Sequence, residues 1–429
     1  MLEALKTALK LPDLRKKLIW TVVLIAIFRI GALIPIPGPW DPHALSNLFK
    51  GGSIFDFLDL MGGGALKRMA IFAMGVNPYI TSSIIVQLLG MVIPSLERLS
   101  KEGTEGRKII NQYVRYGTVV LSIVQGGALI VGFGNSGALI NPTPWDYVLM
   151  IVTLTAGSVF LMWLGEIMSE RGIGNGISMI IFASIVARVG PSIVQVISSF
   201  SAKGAGLNLI NILVFIVIAI VVVVGVVFVT QGERKIPVQY AKRMVGRKMY
   251  GGGATYLPMK VNQAGVIPVI FASSIMAFPM TIAQFLQPTN MFYKFLSLFN
   301  FGRFWYLFFY AVLIFVFTYF YTAVSFNPND VADNMKKYGG FIPGIRPGKP
   351  TAEYLDRVLT RITLAGALFL TIIALVPYLI NTMPGSAGLS GIAFNFGGTS
   401  ILIAVGVAID VMKQIEAQLL MRQYEGFLK

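Results

Sequence analysis

The sequence predicts an all-α integral membrane protein with ten transmembrane helices in two halves of five. Three observations carry that prediction. Of the 429 residues, 55% are hydrophobic and only 13% are charged, against about 25% charged in a soluble domain. Ten apolar runs follow one another along the chain, most of them near the roughly 20 residues that a hydrocarbon core demands. The basic residues are concentrated in alternate connections between those runs.

Residues 1–17 carry Lys6, Lys10, Arg15, Lys16 and Lys17 and read as an amphipathic leader. The run Leu18–Pro37 is the first span. It holds Arg29 and lacks a small-x-small cleavage site, so it is retained rather than removed as a signal peptide. The stretch Ser53–Pro94 is broken: SIFDFLDLMGGGAL is only 14 residues long, Lys67 and Arg68 interrupt it, and Met69–Ile93 supplies the second span. A short interfacial helix in an outer loop fits this pattern, and so does a half-helix lining a cavity inside the protein. Further runs lie at about Val114–Gly134, Trp145–Met168, Ile177–Ser199 and Leu209–Thr230. The last four are at about Ala264–Leu286, Trp305–Phe326, Ile362–Ile380 and Gly398–Leu420. Pro78, Pro268 and Pro279 fall inside these spans and predict kinks.

With the N-terminus in the cytoplasm, 27 of the 35 Lys and Arg residues lie inside. Six lie outside (Lys50, Lys67, Arg68, Lys203, Lys294 and Arg303), while Arg29 and Arg188 fall within spans. This is the asymmetry that orients membrane proteins, and it places both termini in the cytoplasm. It also accounts for the net charge of +16 without invoking nucleic acid. Five spans in residues 1–206 and five in 207–429 make the halves inverted if they are related. No residue-level repeat links them.

Composition excludes several chemistries. There is no cysteine and one histidine, His43, so thiolate or histidine metal sites and disulfides are not expected. Glu166, Asp410 and Asp146 sit near span ends, whereas ion-coupled carriers bury ionisable groups at mid-depth. An intramembrane protease has no candidate residues here. The run GIGNGIS at Gly172–Ser178 reads as a tight turn, since no strand precedes it. The prediction is a protein that is not an enzyme and has no cofactor. Uncharged polar side chains stand out instead: Asn77, Thr81, Ser82, Ser83 and Gln87, with Asn262 and Gln263 opening the seventh span. They suit interhelical glue at about 0.6 kcal/mol per contact, and equally a helix seam able to part. Two basic inside loops, 231–262 and 327–357, suit anionic lipid or a cytosolic docking partner.

The motifs NPYITSSIIVQLL (77–89), WLGEIMSERGIGNGIS (163–178) and KVNQAGVIPVIFASS (260–274) resemble the SecY family. So do FNPNDVADNMKKYGGFIPGIRPG (326–348) and FGGTSILI (396–403). The resemblance runs from Leu18 to about Tyr424 and implies the central channel subunit of the general secretory translocon. It implies two pseudo-symmetric inverted halves around an hourglass pore, with a re-entrant plug half-helix at about 54–66. Plug residues would be Ile54, Phe55, Phe57, Leu58, Leu60, Met61, Gly62, Gly63 and Gly64. The pore ring falls by motif position on Val76, Ile80, Ile181, Ile270 and Ile403, with Ile177 a further member; Val76 stands where isoleucine is usual. Thr81, Gln87 and Asn262 match polar positions of a lateral gate between the second and third spans and the seventh and eighth. Arg247, Lys248 and Arg346 match docking positions for the SecA motor or the ribosome. The small membrane subunits SecE and SecG, signal peptides, unfolded preproteins and membrane lipids are the other implied partners, at the cell inner membrane. Two rival functions share the topology: a ten-span secondary transporter, and a membrane-embedded assembly factor with no pore.

Overall fold

A computed structural model describes residues 11–41, 44–45, 59, 62–201, 209–240, 243–245, 248–250, 254–283, 291–296, 299, 303–381 and 398–427. The first helices are α1 (Pro12–Gly31), α2 (Asn77–Val92), α3 (Pro94–Lys101), α4 (Thr104–Asn135), α5 (Pro144–Arg171), α6 (Gly176–Ser201) and α7 (Leu209–Gln231). Strands β1 (Glu233–Tyr240), β2 (Arg243–Val245), β3 (Lys248–Tyr250) and β4 (Ala254–Lys260) come next. After them come α8 (Ile267–Ala283), α9 (Met291–Leu296), α10 (Phe304–Ser325), α11 (Pro328–Lys337), β5 (Gly340–Phe341), α12 (Lys349–Asn381) and α13 (Gly398–Phe427). All helices but α3, α9 and α11 carry a predicted span, ten in all. Among the described residues, α4, α5, α10, α12 and α13 are each long and apolar enough to cross a bilayer unaided.

The helices form for local and environmental reasons. At the start of α5 a capping box closes the first turn: the Asp146 amide donates to Thr143 Oγ1 (3.3 Å) and the Thr143 amide donates to Asp146 Oδ2 (2.8 Å). The core of α7, VFIVIAIVVVVGVVFV, is rich in β-branched residues that would favour a strand in water. In an apolar medium an isolated strand leaves its backbone unpaired, so the helix wins.

The second span is shorter than the expected Met69–Ile93. Residues 62–76 form turns, and the helix starts at Asn77. Gly63, Gly64 and Gly75 have φ of 67°, 87° and 58°, and Met69 has 45°, which a continuous helix does not allow. This backbone is inside protein: Ala65, Leu66 and Ala70 are fully buried. It is tied to the segment after α1 by Ile36 N–H to Met69 O (2.7 Å) and Ile71 N–H to Ile34 O (3.0 Å). Gly157 of α5 lets it approach closely, since a Cβ there would lie 2.0 Å from the Ile71 carbonyl oxygen. The proline expectation changes accordingly. Pro78 and Pro268 stand in the first turns of α2 and α8, where a missing N–H is harmless, and only Pro279 interrupts a helix. Pro191 and Pro377 are also internal, in α6 and α12.

The two basic loops carry a sheet. Strand β1 pairs antiparallel with β4, from Glu233 opposite Lys260 to Gln239 opposite Ala254. Its other edge takes β5 from the second loop, Gln239 opposite Phe341 and Tyr240 opposite Gly340. The sheet order β4-β1-β5 therefore joins the loops into one unit. Its underside buries Ile236 and Met259 with Ile342, Leu355, Val358 and Leu359.

Helices α4 and α5, α2 and α4, α5 and α6, and α1 and α5 pack together in the first part of the chain. In the second part, α10 packs on α8 and α12, and α13 on α7 and α12. Contacts between the two sets run from α8 to α2 and α4, and from α6 to α13.

Candidate functional site

The largest apolar cluster lies where those two sets meet. It gathers Val76 (1% exposed) and Ile80 (6%) at the start of α2, Ile181 (1%) on α6, Ile270 (8%) on α8 and Ile403 (1%) on α13. Four helices thus deliver all five aliphatic side chains named for a ring into one packed cluster, with Ile84, Ile180, Val269 and Leu402 beside them. Ile177 packs against the cluster from α6, half-buried, with its Cδ1 2.3 Å from where a Gly165 Cβ would be, so it leans on α5. Side chains of this kind, closely packed, exclude water and hence ions.

Local chain geometry explains the placement. Gly75 in the left-handed region turns the chain into α2, so Val76 and Ile80 occupy its first turn. On α13, Gly406 leaves room for Val266 at the entrance to α8, 2.8 Å from where a Cβ would be. Gly398 packs on the Ile373 carbonyl of α12, 1.7 Å from where its Cβ would be, so no other residue fits there without a shift.

Two of the proposed gate residues are satisfied within their own helix and the third is not. Thr81, buried, donates to the Asn77 carbonyl at 2.9 Å, and exposed Gln87 donates to Ser83 Oγ at 3.2 Å, both within α2. Asn262, 6% exposed, precedes α8, and its Oδ1 receives no hydrogen bond. Its Cα lies 3.9 Å from where a Cβ on Gly366 of α12 would be. The bond that does cross helices comes from Ser82, whose Oγ donates to the Val114 carbonyl at 2.7 Å, with Gly117 leaving it room. It ties α2 to α4, the two helices of the first set that contact α8.

Of the plug residues, Ile54, Phe55, Phe57, Leu58, Leu60 and Met61 lie outside the described residues. Gly62 and Gly63 are buried in the turns before α2, and Gly64 is half-buried there. Gly63 meets α6: a Cβ on it would be 3.0 Å from Ser184 Cα. Its carbonyl accepts from Arg29 Nη1 of α1 at 3.0 Å. Sequence reasoning missed Asp59, which is buried and faces Arg188 Nη1 at 3.1 Å. Asp59 is one of two acids in its apolar run and Arg188 is an arginine inside a span, and neither carries a local signal of the other.

Of the docking residues, Arg247 lies outside the described residues, Lys248 opens β3, and Arg346 is exposed between β5 and α12. The Arg346 carbonyl accepts from Thr351 Oγ1 at 2.8 Å, which shapes the turn into α12. The sheet connects that turn to β1 and β4, and β4 runs directly into Asn262 and α8. Away from the apolar cluster, a groove of about 960 Å³ between α4 and α5 is lined by Arg115, Trp163 and Glu166. There Arg115 grips Glu166 with two hydrogen bonds of 2.8 Å.

Comparison with known proteins agrees with this architecture. The chain is similar over its whole length to the protein translocase subunit SecY of Streptomyces scabiei, 48% identical with all of both chains covered. It is 45% identical to that of Thermotoga maritima, covering 100% of this chain and 98% of the relative. Among solved structures it resembles one described as a protein conducting channel (TM-score 0.65, 19% identity, 94% of this chain and 92% of the other). It also resembles Sec61 in the canine ribosome-channel complex (TM-score 0.63, 18% identity, 94% and 92% covered). These are ten-helix, all-α membrane folds, and this chain is a multi-pass membrane protein of the same fold. The SecY family model matches residues 70–412, a stretch running from the turns that precede α2, through all five aliphatic residues of that cluster named for a ring, into α13, and this chain belongs to the SecY family.

Proposed function

We propose that this chain is the channel subunit of the general secretory translocon, passing unfolded, signal-bearing polypeptides across the membrane. The observation that carries the reading is the packing of Val76, Ile80, Ile181, Ile270 and Ile403 from four helices at the meeting of the two helix sets. At rest this ring is dry. Aliphatic side chains yield around a threading polypeptide without preferring any sequence, and they close again behind it. The chain divides at 206/207 into two halves, and the seam of α2 and α4 against α8 is the lateral gate. An apolar signal segment of about 7–15 residues lodges there and passes into lipid. Thr81, Gln87 and Asn262 are its polar positions, and residues 54–66 form the plug.

The cytoplasmic sheet unit, with Arg247, Lys248 and Arg346, is the docking surface for the SecA motor or the ribosome. Arginine there makes forked bonds to carboxylate or phosphate that lysine cannot reproduce. SecE and SecG are the accompanying membrane subunits. The chain lies in the cell inner membrane with both termini cytoplasmic, binds no cofactor and catalyses no reaction; the motor or ribosome and the proton gradient drive transport. The secondary-transporter reading is set aside on the family, whose members here are described as protein translocase subunits.

The natural chain has no cysteine, so a single Ile80→Cys can be paired with one cysteine in a stalled secretory precursor. A disulfide that requires a functional signal peptide is the expected result. Silence at Ile80→Cys, Ile270→Cys and Ile403→Cys alike, while the precursor is still exported, would refute the pore assignment.

A further inference from the structure

We propose that Asp59 and Arg188 form an electrostatic clasp that latches the plug segment onto α6 and opens when the channel does. This inference rests on the reading of residues 54–66 as the plug. Asp59 is 1% exposed and Arg188 15%, so the pair is held away from bulk water. The Asp59 Oδ1 accepts the Lys67 amide at 2.9 Å and its carbonyl accepts the Gly64 amide at 3.0 Å, which closes a turn at the end of the plug segment. Its Oδ2 accepts no hydrogen bond. The compensation for that buried oxygen is therefore the charge of Arg188, 3.1 Å away.

The same turn touches α6 a second time. Gly63 abuts the backbone of Ser184, and Ser184 and Arg188 are four residues apart on one helix face. Arg29 of α1 holds the Gly63 carbonyl from the other side. The turn is thus fixed at two points one helical turn apart, on the helix that also carries Ile181. Arg188 lies seven residues beyond Ile181, about 10 Å along the helix and on the same face. A plug leaving this position strips a buried carboxylate and a guanidinium of each other, which is strongly unfavourable unless water or a polar chain replaces the partner. The clasp therefore biases the resting channel to stay shut and releases once the lumen is wetted or occupied.

The test is the resting ion leak per channel of the intact membrane complex in planar bilayers. Arg188→Gln leaves the Asp59 carboxylate buried without its counter-charge, Asp59→Asn removes the anion that holds the plug segment to Arg188, and each raises the leak about tenfold or more. Because the contact is Coulombic rather than a directed hydrogen bond, Arg188→Lys stays close to the parent. The double neutral variant, with no orphan charge, leaks no more than either single. A leak in Arg188→Lys equal to that in Arg188→Gln would overturn the clasp. So would a double variant whose leak is the product of the two single effects. Deletion of residues 54–66 separates the two readings. If the deletion leaks and neither single variant does, the clasp is wrong and the plug stands; if the deletion seals like the parent, both fall.

Discussion

Truncating Ile181 to alanine is the sharpest perturbation of the proposed ring. Ile181 is 1% exposed, on α6, packed among side chains from α2, α8 and α13. Removing three carbons from a buried site costs about 2–3 kcal/mol in transfer free energy alone, and up to about 5 kcal/mol when the cavity persists. If the packing exists in the closed channel and is lost in the open one, the cost falls on the closed state. A shift of 2–3 kcal/mol is about 30- to 140-fold in the resting closed-to-open ratio, at 1.4 kcal/mol per tenfold. The assay is single-channel recording without substrate, together with export of a precursor whose signal peptide is defective. Both leak and export of the defective precursor rise. Leu154→Ala is the control: Leu154 is fully buried but belongs to a separate cluster with Met74, Ile130 and Phe133. It loses similar stability without touching the ring, so its leak stays at the parental level. Equal leak from Leu154→Ala and Ile181→Ala would refute the ring as the seal and assign the leak to general loosening.

Two further outcomes follow from the packing. Gly157→Val places branched carbon against the Ile71 carbonyl, where even a Cβ would come within 2.0 Å. Backbone must shift, and thermal unfolding of the purified protein in detergent should show a loss of at least the 1–3 kcal/mol typical of overpacking; an unchanged midpoint would contradict the turn described for residues 62–76. Asn262→Leu removes a buried acceptor that has no hydrogen bond, a defect worth about 1–3 kcal/mol. The variant should unfold at higher temperature than the parent and export precursors more slowly, and a lower unfolding temperature would mean that Asn262 is satisfied in the resting state.

The sequence by itself determined the class and the number of spans. Membrane helices are local objects: each satisfies its own backbone, so a run such as Leu209–Gln231 declares itself without reference to its neighbours. Motif matching then named Val76, Ile80, Ile181, Ile270 and Ile403, although apolar residues within apolar spans carry no local mark of where they point. What tertiary structure alone decided was every feature made by distant segments. The start of α2 at Asn77 depends on bonds from residues 34–36 and on space left by Gly157. The sheet depends on β1 meeting β5 across about 100 residues, and its strands, which contain Pro237, Pro258 and Gly340, read as loops because pairing partners, not propensity, make a strand. The contact of Asp59 with Arg188 joins groups whose individual contexts predict nothing about each other. Burial of a charge is unfavourable until its partner arrives, and only the folded chain says which partner that is.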